Sequence, residues 1–231
     1  MSMPTPNEAA VVVGPHAAAS PLVAGVPLAT AAYALVMVHG RGGSAEGMLP
    51  IARAAKATDA ALVAPVAIGN SWYPQRFLAP TALNEPWLSS ALSALGAAVA
   101  QVRSAGIADH RIILVGFSQG ACLTLEYAAR AAVDGARFGG VVAMAGALIG
   151  DPAVARSDRG SLHGTPVVLA CGDADTHIPE DLVRRSADVF AELGALVDLR
   201  IYPGLGHDIT GDQIAALAAI VDAVRLEVAP T

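Results

Sequence analysis

Ile112-Ile113-Leu114-Val115 runs into Gly116-Phe117-Ser118-Gln119-Gly120, and that into Ala121-Cys122-Leu123-Thr124-Leu125-Glu126-Tyr127-Ala128-Ala129-Arg130. The first run is apolar, β-branched and of strand length. The last is rich in helix formers. Between them stands Gly-x-Ser-x-Gly, so the order is strand, sharp turn, helix. This is the context in which such a turn lifts a serine hydroxyl to its apex. A Cβ at position 116 or 120 would clash where the strand end is squeezed against the helix start. The N–H of Gln119, at the helix N-terminus, faces the same space as the Ser118 hydroxyl, and with the helix dipole suits a developing oxyanion. The plainer alternative is a glycine turn with a serine N-cap.

Outward from this centre, apolar strands and helical segments alternate from His39 onward. Ala34–Val38, Ala61–Ala64, Gly140–Met144 and Pro166–Cys171 are continuous apolar runs, as in a parallel sheet covered on both faces. Val197–Tyr202 is the last strand. Helices are predicted from Ser44 to Lys56 (interrupted by Gly47 and Pro50), over Trp87–Ser104, over Pro179–Leu193, and over Asp212–Val228. In the last, Ile214, Leu217, Ile220, Val221, Val224 and Val228 recur at helical spacing. Leu22–Leu28 reads as an edge strand pair folded at Gly25, with Val11–Gly14 as a short edge strand or part of an arm. Val66–Pro86 is a long irregular stretch of the kind that carries function or moves. No linker or repeat divides the chain. The prediction is one α/β domain over residues 1–231, a mostly parallel central sheet with helices on both faces, preceded by a loosely held arm to about residue 20.

In such sheets ligands bind beyond the carboxyl ends of the strands. His39-Gly40-Arg41, Ser118, Asp175 and His207 each follow an apolar strand. A serine needs a base near neutral pKa, and the base needs a carboxylate to hold its tautomer. Ser118, Asp175 and His207 occur in the chain order of an α/β-hydrolase triad. Asp173 is the rival carboxylate, and could instead brace its own turn. The backbone N–H of Arg41 is placed where a second oxyanion donor is expected, beside that of Gln119. The alternative for His39–Gly43 is a plain glycine turn. Trp72 and Tyr73 wall an acyl pocket or anchor the core under the long loop. The Arg41 guanidinium, at the mouth of the site, is a candidate for holding an acidic or phenolic group. Asp173, Asp175 and His177 could be read as metal ligands, but no third cluster supports it, and no metal or cofactor is expected. His16, His110 and His163 are predicted at the surface.

Hydrophobic residues make up 54% of the 231 and charged residues 15%, enough for a sizeable core. Lys and Arg number 14 against 20 Asp and Glu, a net charge of −6 without a basic cluster, which argues against nucleic acid as a partner. Cys122 and Cys171 lack metal-ligand spacing and are predicted as buried free thiols, consistent with a reducing compartment. The first residues lack a basic, apolar leader, and no apolar run has transmembrane length, so a cytoplasmic location is expected.

His39-Gly40-Arg41-Gly42-Gly43, Ser71-Trp72-Tyr73, Gly116-Phe117-Ser118-Gln119-Gly120-Ala121, Gly172-Asp173-Ala174-Asp175-Thr176-His177-Ile178-Pro179 and Gly206-His207-Asp208-Ile209 together resemble the phospholipase/carboxylesterase family. The resemblance runs from about Val23 onward. It implies Ser118 as nucleophile, Asp175 as acid, His207 as base and the N–H groups of Arg41 and Gln119 as oxyanion donors. It implies hydrolysis of a small-molecule ester, with thioesterase, lysophospholipase and dienelactone-hydrolase-like activities as alternatives. Arg41, and Gly43 where acyl-protein thioesterases tend to carry Asp, point to the bacterial esterase branch. A catalytically silent binding protein on this fold is the rival of another class, and would be expected to lack a triad member. A homodimer is compatible with these motifs, which leave the oligomeric state open.

Overall fold

The computed structural model describes residues 12–228. The expectations for Met1–Val11 and for the Val228 side chain lie outside the described residues. Among the described residues seven strands make one sheet: β1 (Leu22–Gly25), β2 (Ala34–Val38), β3 (Ala61–Ala64), β4 (Ile112–Phe117), β5 (Gly140–Met144), β6 (Pro166–Gly172) and β7 (Leu196–Tyr202). Their order across the sheet is β1-β3-β2-β4-β5-β6-β7. β1 is antiparallel to β3, and every other pairing is parallel.

The helices are α1 (Leu49–Ala54), α2 (Trp87–Ser104), α3 (Gln119–Ala131), α4 (Glu180–Glu192) and α5 (Gly211–Val228). The two-residue period of a strand sends alternate side chains to opposite faces. Val36, Val38, Leu114, Val141 and Leu169 pack with α2, α3 and α4. Leu35, Met37, Val115, Val142 and Val168 pack with α1 and α5. Both faces are therefore covered, which is why the central strands read as unbroken apolar runs. In α5, Leu217, Ile220, Val221 and Val224 supply the buried stripe.

The chain moves from β2 to β3 on one side, then crosses back to place β4 on the other side of β2. The winding direction reverses there, and a crevice opens at the carboxyl ends of β2 and β4. Val38 pairs with Gly116 across this point, so residues 39–43 and Ser118 emerge side by side.

Two sequence expectations are corrected, for Leu22–Leu28 and His16, and one of the two readings of Val11–Gly14 is removed. Leu22–Leu28 is not a strand pair. Only Leu22–Gly25 is a strand, because Pro27 lacks an N–H for a ladder and its carbonyl instead accepts from Thr30 and Ala31 in a turn. Val12–Gly14 form no strand. His16 is not at the surface but wholly buried. Its Nδ1 accepts from the Ile68 N–H at 3.1 Å and its Nε2 faces the Trp72 carbonyl at 3.0 Å, a pair of partners that requires the proton on Nε2. Its backbone N–H donates to Ser90 Oγ in α2. No helix among the described residues is long and apolar enough to cross a membrane.

Candidate active site

The turn at Ser118 is forced by its neighbours. A Cβ on Gly116 would come within 2.6 Å of the Ala121 Cα. A Cβ on Gly120 would press on the carbonyls of Val38 and His39, the latter at 2.5 Å. Glycine at 116 thus lets α3 fold back onto the end of β4, and glycine at 120 lets α3 sit directly against the end of β2. Ser118 itself takes φ 55° and ψ −123°, a backbone region that a non-glycine residue occupies only when its surroundings over-determine it. The surroundings are present: its N–H donates to the Met144 carbonyl at 2.9 Å and its carbonyl accepts from Cys122 at 3.0 Å.

Ser118 Oγ lies 2.7 Å from His207 Nε2, and His207 Nδ1 lies 2.7 Å from Asp175 Oδ2. His207 sits in the loop after β7, and Asp175 in the loop after β6. With the carboxylate as acceptor, the ring proton belongs on Nδ1, which leaves Nε2 free to accept from the serine. Asp175 Oδ1 accepts from the N–H groups of His177 (2.8 Å) and Ile178 (3.0 Å). Burial pushes this carboxyl up, but the hydrogen bonds from His207, His177 and Ile178 together outweigh it and hold it below its usual range. Asp173 does a different job. It is exposed, and its Oδ1 accepts from the Gly204 N–H at 2.7 Å, bracing the turn after β7.

Gly40 lies against Ser118, where an added Cβ would be 3.1 Å from the serine Cβ. The loop at 39–43 is held from behind. His39 is buried, its Nδ1 bonds the Gly40 carbonyl and its Nε2 accepts from Ala67. Burial lowers its pKa, so it stays a neutral prop. Neither the Arg41 nor the Gln119 backbone N–H donates to any protein group among the described residues.

The long stretch 66–86 forms one wall of the cleft, and two side chains that line the cleft, those of Gln119 and Arg41, help to fasten it. Gln119 Oε1 accepts from the Trp72 N–H at 2.9 Å while its Nε2 donates to the Tyr73 carbonyl at 2.8 Å. The Arg41 guanidinium donates to the carbonyls of Tyr73, Pro74 and Gln75 at 2.9, 3.0 and 2.7 Å. The role of the Gln119 amide was not visible in sequence. Its signal, an amide side chain next to the candidate nucleophile, acquires meaning only once its partners 46 and 47 positions away are known. Losing it would leave the buried Trp72 N–H without an acceptor, at a cost of about 1–3 kcal/mol.

A cleft of about 410 Å³ is bounded by Arg41, Tyr73, Phe77, Ser118, Ile178 and His207, among others. Tyr73 reaches its wall, but Trp72 does not. The indole is wholly buried beneath, donating to the His39 carbonyl at 2.7 Å and packed against the rings of His16 and His39. It is a core anchor, because its one N–H finds its acceptor inside. Cys122 and Cys171 are free and buried, and burial pushes both thiols up to about 12.

A mostly parallel sheet, helices on both faces and a serine on a strained strand-to-helix turn beside the switch point define an α/β-hydrolase. The chain belongs to the phospholipase/carboxylesterase family, whose sequence profile matches residues 26–224. It is 38% identical to a phospholipase/carboxylesterase of Dyadobacter fermentans of known structure, with a TM-score of 0.83 over 88% of this chain and 96% of that one. It also matches acyl-protein thioesterase 1 of Debaryomyces hansenii (29% over 126 residues) and of Saccharomyces cerevisiae (26% over 135 residues). These matches cover 54% and 57% of this chain and only 53% and 58% of the relatives. The Bacillus cereus carboxylesterase, 18% identical with a TM-score of 0.68 over 90% of this chain and 95% of that one, shares the fold.

Proposed function

We propose that the protein is a serine esterase that cleaves carboxylic esters of small to medium acyl groups through an acyl-enzyme. The observation that carries this reading is the unbroken relay from Ser118 Oγ to His207 Nε2 and from His207 Nδ1 to Asp175 Oδ2, each step 2.7 Å. Ser118 Oγ attacks the ester carbonyl as its proton passes to His207 Nε2. The imidazolium so formed is stabilised by Asp175, which stays ionised because His177 and Ile178 hold its other oxygen. Negative charge on the former carbonyl oxygen is met by the free N–H groups of Arg41 and Gln119, each such donor being worth about 2.7–4 kcal/mol in the transition state. His207 then gives its proton to the departing alcohol. A water, deprotonated by the same nitrogen, attacks the acyl-serine and releases the acid. The cleft of about 410 Å³ suits acyl groups of modest length.

The match to acyl-protein thioesterases favours thioesters as a second reading, which the same relay would serve. A matched series of esters and thioesters of graded acyl length separates the two. Ser118→Ala tests both. It should keep the circular-dichroism spectrum and lose hydrolysis of 4-nitrophenyl esters by a factor on the order of 10⁴ or more, together with fluorophosphonate labelling. Near-normal turnover by folded Ser118→Ala would reject the mechanism.

A further inference from the structure

Two guanidinium groups stand at the mouth of the cleft without a carboxylate to answer them. Arg41 and Arg76 both border it and both are exposed. Among the described residues no Asp or Glu borders it, although acidic residues outnumber basic ones 20 to 14 in the chain. Elsewhere Arg103, Arg156, Arg184, Arg200 and Arg225 each hold a carboxylate. The carboxylate of Asp175 is fully buried and turned inward to His207. The local charge at the cleft therefore runs against that of the whole chain.

The two arginines are not equivalent. Arg41 is committed to three backbone carbonyls and serves as a tether that also adds to the local field. Among the described residues Arg76 makes one hydrogen bond, from its NH2 group to the His177 carbonyl at 3.1 Å. A guanidinium carries five N–H donors, so most of the Arg76 fork remains available. That bond also places Arg76 on the side of the cleft occupied by His177, whose ring meets the His207 ring edge-on at 4.8 Å. In the reaction proposed above, His207 protonates the departing alcohol, so the alcohol part of the ester lies on this side.

We infer that the substrates are esters whose alcohol portion carries an anion, a carboxylate or a phosphate, held by Arg76 through charge-assisted hydrogen bonds. This rests on the esterase reading and assigns a specificity residue to it. Uncompensated positive charge at an open cleft also draws anionic substrates in, an effect that salt screens.

The test uses acetyl esters of one scaffold: methyl 4-acetoxybenzoate (neutral), 4-acetoxybenzoate (carboxylate) and 4-acetoxyphenyl phosphate. A second pair, 4-nitrophenyl hexanoate and the 4-nitrophenyl half-ester of adipic acid, puts the anion on the acyl side. The quantity read is the ratio of kcat/KM on the anionic ester to that on its neutral partner. In Arg76→Ala the ratio should fall roughly tenfold for at least one alcohol-side anion, the lower end for a hydrogen bond to a charged group at an exposed site. The larger of the two falls tells carboxylate from phosphate. Arg76→Lys should restore most of the ratio, and added salt should lower it in the native protein. A merely structural link to His177 would lower anionic and neutral esters together and leave the ratio unchanged, which would overturn the inference. So would a loss confined to the acyl-side pair. Turnover of the neutral ester without discrimination defeats only this assignment. No turnover of any ester by the native protein defeats the esterase reading and this inference with it.

Discussion

Asp175→Asn puts the proposed relay under a precise strain, because the amide must choose which way to face. Asp175 Oδ1 takes two backbone N–H groups, those of His177 and Ile178, and Oδ2 takes His207 Nδ1. With asparagine, only one of the two atoms can accept. If the amide oxygen stays with the two N–H groups, the NH₂ faces His207 and donates to Nδ1. The imidazole is then held with its proton on Nε2, where it cannot accept from Ser118. If the amide flips, the histidine keeps its working tautomer, but the NH₂ confronts two N–H donors, that of Ile178 buried and that of His177 half-buried. Leaving each donor unsatisfied costs about 1–3 kcal/mol, so the flip costs about 2–6 kcal/mol. At 1.36 kcal/mol for each factor of ten, the working arrangement is populated on the order of 10⁻² to 10⁻⁴ of the time. The kcat for 4-nitrophenyl acetate should fall by that factor, while the unchanged volume of the side chain keeps the fold. The assay is stopped-flow or steady-state release of 4-nitrophenol, with the rate of fluorophosphonate labelling as a second measure of Ser118 reactivity. A kcat within about tenfold of the native value would refute the reasoning. So would loss of activity in Asp173→Asn with Asp175→Asn active, since Asp173 only holds the Gly204 turn.

Gly120→Ala should cost about 3 kcal/mol or more, because its Cβ meets the carbonyls of Val38 and His39 and neither backbone group can move aside; differential scanning fluorimetry should show a melting temperature about 6–12 °C lower, and a shift under about 2 °C would contradict the close-approach argument. Asp59 accepts from the Tyr33 hydroxyl and from Arg225. The Arg225 guanidinium, aided by Tyr33 and against partial burial, lowers its carboxyl from 3.8 to about 2. Its stabilisation is therefore full above the ordinary carboxylate range and is lost as pH falls from about 4 towards 2. For so exposed a group it amounts to about 1 kcal/mol after screening. Urea unfolding of Asp59→Asn and native protein should differ by that amount at pH 6 and converge near pH 2; a gap that persists at low pH would assign the difference to packing instead.

What could be read from sequence follows from how far apart the interacting residues lie. The buried strands were legible because covering both faces of a sheet demands unbroken apolar runs, as in Ile112–Val115. The serine turn was legible because its glycines answer clashes within five residues of chain. Asp175 and His207 were legible as loops after strands, since parallel strands all deliver their ends to one edge. Residues whose meaning lies in a single distant contact were not legible. His16 has no local signal for burial, and its partners Ile68 and Trp72 lie 52 and 56 positions away. Trp72 offered two equal readings until its indole N–H was seen to end on His39. The sequence offers the Arg41 guanidinium as a holder of an acidic or phenolic group but carries no sign of the three loop carbonyls that engage it. Arg76 belongs to no motif, and its interest comes only from what the cleft around it lacks.

The packing of His16 carries a practical warning about where the working unit of this protein begins. The family match starts at residue 26 and the first strand at Leu22, so the sheet by itself invites a cut just before the strand. A chain started there would keep every strand and helix of the described residues and all of Ser118, Asp175 and His207. It would lack the imidazole wedged between the Ile68 N–H and the Trp72 carbonyl, and with it the backing of the wall that Arg41 and Gln119 fasten from the other side. Such a trimmed protein would look intact by every measure of secondary structure while its cleft had lost a footing, and its silence in an assay would be charged to the wrong residues.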